Sequence, residues 1–320
     1  MHHTDAATSR HILKATMNPI KQLARQARAF LLDPLLNPGR MEHRPTTDLQ
    51  QLLLSFRYKD LIDAKAALPS FRDVGFRVYS EADEDGILLL IFSIIGFKTK
   101  KSVELCAGNG IDGNTANLII NHGFTGLLID GNKALVDIGS NFYKSNPHTR
   151  FFPPRFVNTW VTRENINSLL ESNGFRGEVD LFSLDMDGMD YWIWEACHGI
   201  KPRVVVLEYQ DILGSERSVT VPYQEDFYAY DHSTTKYANN SQMPNYCGAS
   251  LAAYVKLAKR KGYRLVGCNR YCYNAFFIRE GVGEESFPEI SAGDCFFHPK
   301  HLTQAEQRLE SVKDLPWAEV

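Results

Sequence analysis

From Ser102 onward, short β-rich runs alternate with helical patterns. SVELCA precedes a helical pattern that begins at Asn114, GLLID one that begins at Asn132, and RFVNTWV one that begins at Arg163. DLFSLD (Asp180–Asp185) leads into a helix at Tyr191. PRVVVLEY (Pro202–Tyr209) is continuously apolar, as a strand buried on both faces must be. The period is that of βαβ units and predicts five parallel strands. A helix over Gly248–Lys261, stopped by Gly262, is followed by YRLVGC and NAFFIR, which are close enough to pair as a hairpin. The expected fold is therefore α/β, a mostly parallel seven-stranded sheet closed by a C-terminal antiparallel hairpin.

Ahead of this sheet lies an N-terminal helical region, residues 1–79. Ile12–Leu36 is amphipathic and basic with a break at Pro19, Leu49–Leu68 is a second helical stretch, and composition changes across Ser70–Tyr79. Residues 80–280 form the sheet domain and 281–320 a C-terminal extension. Within the domain, residues 210–247 are polar, aromatic and too long for an ordinary connection, so they read as a lid over a site.

Composition narrows the partners. The 320 residues are 44% hydrophobic and carry 35 Lys plus Arg against 38 Asp plus Glu, a net charge of -3, so no basic field recruits nucleic acid. A small-molecule substrate is expected. Six cysteines without a CxxC pair, no secretory signal and no run long enough to span a membrane point to the reducing cytoplasm. The apolar N-terminal helices offer a homodimer surface, and the basic amphipathic one a surface that can lie on a membrane.

The first strand runs VELCAGNGIDGNTANL. Gly108, Asn109 and Gly110 let the backbone turn tightly and approach a ligand, and Asp130 closes the second strand about twenty residues later, where an acid accepts hydrogen bonds from ribose hydroxyls. That spacing admits both NAD and S-adenosylmethionine; the hairpin and the lack of a third glycine at the expected offset favour S-adenosylmethionine. Trp160 and Val161 are placed to flank an adenine, although core packing accounts for Trp160 equally well.

Asp185 ends the fourth strand and Glu208 lies near the end of the fifth, so the two are neighbours at the edge where open α/β sheets bind ligands. Asp187 follows on the same side, and Asp190 reads as the N-cap of the Tyr191 helix. Three readings stand for Asp185, Asp187 and Glu208: a divalent metal site for Mg, Mn, Ca or Fe(II), a general base, or hydrogen bonding to substrate hydroxyls. His232, in the lid segment, is a candidate base or metal ligand. Glu84 and Asp85 precede a helix and suit its N-terminal end by charge.

EDGILLLIFSIIG, VELCAGNGIDGNTANLI, GLLIDGN, SLDMDGMDYWIW, VVVLEYQ, SVTVPY and GASLAAYVKLAKRKGYRLVGCN together resemble a bacterial group related to the FkbM-type methyltransferases, found among polyketide- and sugar-modifying enzymes. The likeness covers about Tyr79 to Arg279. It implies a Rossmann-like class I methyltransferase fold, S-adenosylmethionine held by Glu104, Gly108 and Asp130, and a methyl-transfer site bordered by Asp185 and its neighbours. It also implies closure of the cofactor pocket by Glu84 or Asp85, and O-methylation of a hydroxyl. Two departures are visible: Cys106 stands where that family has its first glycine, and its Asp-Val-Glu-Gly appears as Asp185-Met186-Asp187-Gly188. Two other functions remain open: intramolecular cyclisation of S-adenosylmethionine with release of methylthioadenosine, and a non-catalytic binding module.

Overall fold

Successive residues of the central strands face different layers, as strand geometry requires. Val205 and Leu207 join one core with Val103, Leu105, Leu127 and Leu184. Val204 and Val206 join the other with Leu128, Leu181 and Phe276. Both faces of the sheet are therefore covered, which is why Pro202–Tyr209 lacks the polar alternation of a half-exposed strand.

The computed structural model describes residues 45–227, 230–231, 236–237 and 245–320. The Ile12–Leu36 helix and His232 fall outside the described residues. Five parallel strands are β1 (Lys101–Leu105), β2 (Thr125–Asp130), β3 (Arg155–Asn158), β4 (Gly177–Leu184) and β5 (Ile200–Glu208), followed by the hairpin of β6 (Tyr263–Cys268) and β7 (Asn274–Arg279). The order across the sheet is β3-β2-β1-β4-β5-β7-β6, with β7 antiparallel to both its neighbours. This is the predicted Rossmann-like, mostly parallel seven-stranded sheet closed by an antiparallel hairpin.

The helices in chain order are α1 (Pro45–Asp63), α2 (Glu84–Ile95), α3 (Ala116–His122), α4 (Lys133–Ser145), α5 (Ile166–Ser172), α6 (Asp190–Ala196), α7 (Leu251–Lys261) and α8 (Pro299–Glu310), with a single turn at Phe71–Val74. Side chains of α2, α3 and α4 pack into the Val204 core, and those of α5, α6 and α7 into the Val205 core. Local chemistry sets the boundaries. Asn132 caps α4 by accepting from the N–H groups of Ala134 and Leu135. Ser250 caps α7, and Gly262, at φ +76°, stops it as predicted.

The second predicted N-terminal helix is shifted: α1 covers Pro45–Asp63 instead of Leu49–Leu68. Lys65 takes a left-handed φ of +51° immediately beyond it and turns the chain. Leu52, Leu53 and Phe56 of α1 are exposed. Among the described residues, no helix is long and apolar enough to cross a membrane.

One buried ion pair determines how the sheet meets α2. Asp180, in the middle of β4, accepts from the backbone N–H groups of Lys98, Thr99 and Lys100 and pairs with Arg203 at 2.9 Å. The C-terminal extension is knitted to the 210–247 insertion: Ala318–Glu319 pairs antiparallel with Val219–Thr220, and the Tyr246 hydroxyl donates to the Pro316 carbonyl.

Candidate active site

The strand order reverses between β1 and β4, the switch point at which doubly wound sheets open a ligand crevice. On the β1 side, Gly108 has φ +54° and its N–H donates to Asp130 Oδ2 at 2.8 Å, while the Asn132 N–H donates to Asp130 Oδ1 at 2.6 Å. Each carboxylate oxygen keeps a second lone pair for a ligand hydroxyl. Asp130 therefore shapes the glycine loop and stays available to it. Trp160 stacks over Gly131, where an added Cβ would lie 3.0 Å from the indole, and its Nε1–H donates to the Glu225 carbonyl at 2.7 Å. Half of that ring remains exposed. Val161, its chain neighbour, is buried in the core, so only Trp160 of the two can flank a bound ring.

Gly110 is a packing glycine. At φ +65°, a Cβ there would stand 2.7 Å from Leu128. Asn109 accepts from the Ile111 N–H at 2.8 Å and holds the turn. The expected lack of a third glycine is corrected: Gly113 stands five residues after Gly108 and completes GxGxxG spacing, so the glycines alone do not separate a dinucleotide from an adenosyl sulfonium.

Glu104, Glu84 and Asp85 are differently placed from the expectation that they touch a cofactor. Glu104 is buried and accepts from the Asn114 N–H at 2.7 Å and from Thr115, so it braces the far end of the glycine loop. Glu84 accepts from the side chains of Asn269 and Asn274 and from the Ala82 N–H, tying α2 to the β6–β7 turn. Asp85 gathers the N–H groups of Val78, Tyr79 and Ser80 on one oxygen. All three brace the walls of the crevice: Glu104 and Glu84 accept from the protein on both oxygens, whereas Asp85 does so on Oδ2 and keeps a buried Oδ1 without a partner.

Burial raises the Asp85 carboxyl from 3.8 to about 6, against the lowering effect of those three N–H donors. A native pKa above the unfolded one adds stability that is complete below the unfolded value and is lost as pH rises through about 6. The thermal midpoint is expected to rise as the pH falls from about 7.5 to about 5.5, with a smaller rise in Asp85→Asn. Scanning calorimetry of both proteins checks this; equal pH slopes would contradict it.

Cys106 lies at the start of the crevice with φ +52°, a left-handed conformation that suits the glycine expected there. Desolvation, then the charges of Asp130, Asp190 and Asp185, hold its thiol well above the usual range. Cys106→Gly is expected to raise the unfolding free energy by about 1 kcal/mol. Urea denaturation measures it, and a loss of stability would show that the thiol contributes packing that outweighs the backbone strain.

On the β4–β5 side, Leu184 is paired with Leu207, so Asp185 and Glu208 emerge side by side. Asp185, Asp187 and Glu208 each present an oxygen within 4.8 Å of the others. Asp187 itself has φ +52° and turns its carboxylate back toward the strand ends; Gly188 follows, with no room for a Cβ against Phe227. Burial, then Asp187 and Asp190, push the Asp185 carboxyl well above the carboxylate range. Burial, then Asp185, does the same to Glu208, and the two share a hydrogen bond.

Asp190 departs from its predicted role. It is the first residue of α6, and its carboxylate reaches backward to accept from Met186 N–H at 2.8 Å and Gly188 N–H at 3.1 Å. It therefore holds the Asp185–Gly188 turn instead of capping the helix. The apolar residues after it anchor that turn: Tyr191 and Trp194 are fully buried, and Trp192 Nε1–H donates to the Val221 carbonyl.

A cavity of about 870 Å³ opens beside Asp187, Asp190 and Glu208. Gly108, Asp130 and Trp160 are outside its lining, so it lies on the side of the carboxylates away from the glycine loop. Its walls include residues the sequence reading missed: Glu81, Asp83, Arg270, Tyr271, Tyr273 and Arg308. The Arg- and Tyr-rich turn NRYCY between β6 and β7 is a signal that could have found three of them. Arg308 carried none, because only the folded extension brings α8 to the 3-10 turn Asp211–Leu213.

No family model and no curated protein matches the chain. Among solved structures it is similar to a TehB-like SAM-dependent methyltransferase from Corynebacterium glutamicum (12% identity, 72% of this chain and 99% of that one, TM-score 0.34). It is similar also to an O-methyltransferase from Bacillus cereus in complex with SAH (10% identity, 60% and 76%, TM-score 0.33). A third is the glycopeptide N-methyltransferase MtfA complexed with sinefungin (9% identity, 64% and 88%, TM-score 0.38). All three are methyltransferases by description.

Proposed function

We propose that this chain is an S-adenosylmethionine-dependent methyltransferase related to the FkbM-type enzymes, which moves the sulfonium methyl to a hydroxyl oxygen of a small molecule in natural-product or sugar biosynthesis. The observation that supports it most is the pairing of two half-sites across one switch point. Asp130 and the Gly108 loop stand at the ends of β1 and β2, and three converging carboxylates stand at the ends of β4 and β5.

In this reading, Asp130 accepts the ribose hydroxyls and Trp160 flanks the adenine. The methyl is then directed toward the carboxylates and the cavity beyond them. The acceptor oxygen would attack the methyl carbon as the carbon–sulfur bond breaks, leaving S-adenosylhomocysteine, and the hydroxyl proton would pass to whichever carboxylate of the Asp185–Glu208 pair is ionised.

The carboxylate triad fits a divalent cation by its donors: three oxygens converge, and burial, then the neighbouring carboxylates, raise the Asp185 and Glu208 carboxyls, which a cation would reverse. Such a cation, when bound by Asp185, Asp187 and Glu208, supplies positive charge that lowers the pKa of an acceptor hydroxyl. His232, outside the described residues, remains a candidate base from the sequence alone.

Product analysis tests the reaction class. Incubation with S-adenosylmethionine and a panel of hydroxylated acceptors is expected to give S-adenosylhomocysteine and a methyl ether. Methylthioadenosine would assign the cyclisation, and cofactor binding without either product would assign a binding module.

A further inference from the structure

The two most exposed large apolar side chains among the described residues are neighbours: Phe151 is 75% exposed and Phe152 88%. They sit at the tip of the turn that joins α4 to β3, and that turn is tightly built. The Thr149 and Arg150 N–H groups donate to the Asn146 carbonyl at 3.1 and 2.9 Å, and the Phe152 N–H donates to the Thr149 carbonyl at 2.9 Å. Thr149 is buried, and its hydroxyl donates to the Tyr143 carbonyl at 2.6 Å. Pro153 and Pro154 fix the exit, and Pro154 is buried against Gly126 of β2, where an added Cβ would lie 3.1 Å from Pro154 Cβ. The backbone therefore holds both rings out in water. A single apolar residue on a surface is ordinary, but an adjacent pair on an ordered tip marks a contact.

The same end of the sheet is basic. The turn leads into the first residue of β3, so it lies where the parallel strands start, whereas Asp130, Asp185 and Glu208 lie where they finish. Lys144 is in the last turn of α4, and Arg150 and Arg155 bracket the phenylalanines. Lys101 opens β1 with Lys100 beside it, and Lys201 is the second residue of β5. Among the described residues none of these six forms an ion pair. Glu171 and Glu178, the acids on either side of the start of β4, are engaged by Arg176 at 2.6 Å and by Lys98 at 2.8 Å. The Arg150 guanidinium lies 4.8 Å from the centre of the Phe151 ring, so charge and apolar surface share one tip. A chain of net charge -3 thus carries a local cationic edge.

A convex tip of two rings between prolines and arginines is too small for the core of a stable protein interface, which covers roughly 800 Å² on each partner. A bilayer surface requires no matching shape: aromatic rings enter at the headgroup level, and cations beside them meet lipid phosphates. We propose that the Phe151–Phe152 tip and the basic edge behind it are a docking surface for an anionic lipid bilayer. Both rings enter the headgroup region, the cations face phosphates, and the crevice at the far ends of the strands stays open to water. This surface is independent of what the crevice binds.

Co-sedimentation of the full chain with phosphatidylcholine vesicles, and with vesicles of phosphatidylcholine and phosphatidylglycerol at about three to one, tests it. The parent is expected to bind the phosphatidylglycerol vesicles about tenfold or more tighter, and to be released as salt rises from about 0.05 M to about 0.5 M. Phe151→Ser combined with Phe152→Ser is expected to weaken that binding by about tenfold to a hundredfold, at an unchanged thermal midpoint because both side chains already lie in water. Phe152→Trp gives a second reading that does not depend on the serine variant folding: the emission it adds is expected to shift to the blue and to be quenched by phosphatidylglycerol brominated on its acyl chains. No parental binding to the anionic vesicles, equal binding to both kinds of vesicle, parental binding in the double serine variant, or unquenched added emission in Phe152→Trp overturns the proposal. Parental self-association that the serine variant loses, with no lipid binding by either, overturns it and assigns the tip to a contact between copies of this chain.

Discussion

Asp130→Ala is expected to weaken S-adenosylmethionine binding by about a hundredfold to a thousandfold. The carboxylate is asked to do two things with the same two oxygens. One lone pair on each holds the crevice together, through the Gly108 and Asn132 N–H groups. In the proposed reading the others accept from the ribose, where each hydrogen bond to a charged group contributes about 1.5–3 kcal/mol. Alanine removes the ligand contacts and frees the glycine loop at once. Asp130→Asn separates the two effects: an amide oxygen still accepts from one N–H but replaces the second acceptor by a donor, so about a tenfold loss is expected. Calorimetric affinities of the three proteins read this out; parental affinity in the alanine variant would remove Asp130 from the cofactor site.

Glu208→Gln is expected to lower methyl transfer by about a hundredfold to ten-thousandfold while leaving S-adenosylmethionine affinity within about twofold. Glu208 is half of the hydrogen-bonded pair with Asp185, and burial followed by the Asp185 charge pushes its carboxyl well up. A cation entering the triad must displace that proton, so Mn titration of the parent at neutral pH is expected to release protons to the buffer. In Glu208→Gln the shared proton and one ligand oxygen are both gone, and proton release and Mn affinity are expected to fall together. Calorimetry in two buffers of different ionisation enthalpy measures the protons. Unchanged Mn affinity in the variant would leave the carboxylates as proton acceptors alone.

The sheet was legible because its signals are local and redundant. Continuous apolar runs such as Val204–Leu207, the Asn132 and Ser250 caps and the Gly262 stop each name an element independently. The meeting of Asp185 with Glu208 was legible for the same reason: once both runs are parallel neighbours, their last residues must adjoin. What a carboxylate does there was not. Glu104 sits beside the glycine loop as a ligand-binding acid would, yet Asn114 and Thr115, ten and eleven residues on, occupy its oxygens. Glu84 is engaged by Asn269 and Asn274, far along the chain. Such partners come from tertiary packing, so spacing alone gives an acid that braces a site the same appearance as one that lines it. Trp160 and Val161 show the converse. Neither residue type decided the matter; the end of β3 at Asn158 leaves one side chain over the crevice and turns the other into the core.

The central claim is that one crevice holds an adenosyl sulfonium beside a cation-binding carboxylate triad. Calorimetric titration of metal-stripped protein with S-adenosylmethionine, repeated with Mg, Mn and Fe(II) and with NAD as the control, tests it most directly. The account predicts S-adenosylmethionine binding that depends on Asp130 and is strengthened by a divalent cation, with no heat from NAD. Binding of NAD in its place, or no binding under any of these conditions, would contradict it and leave only the fold.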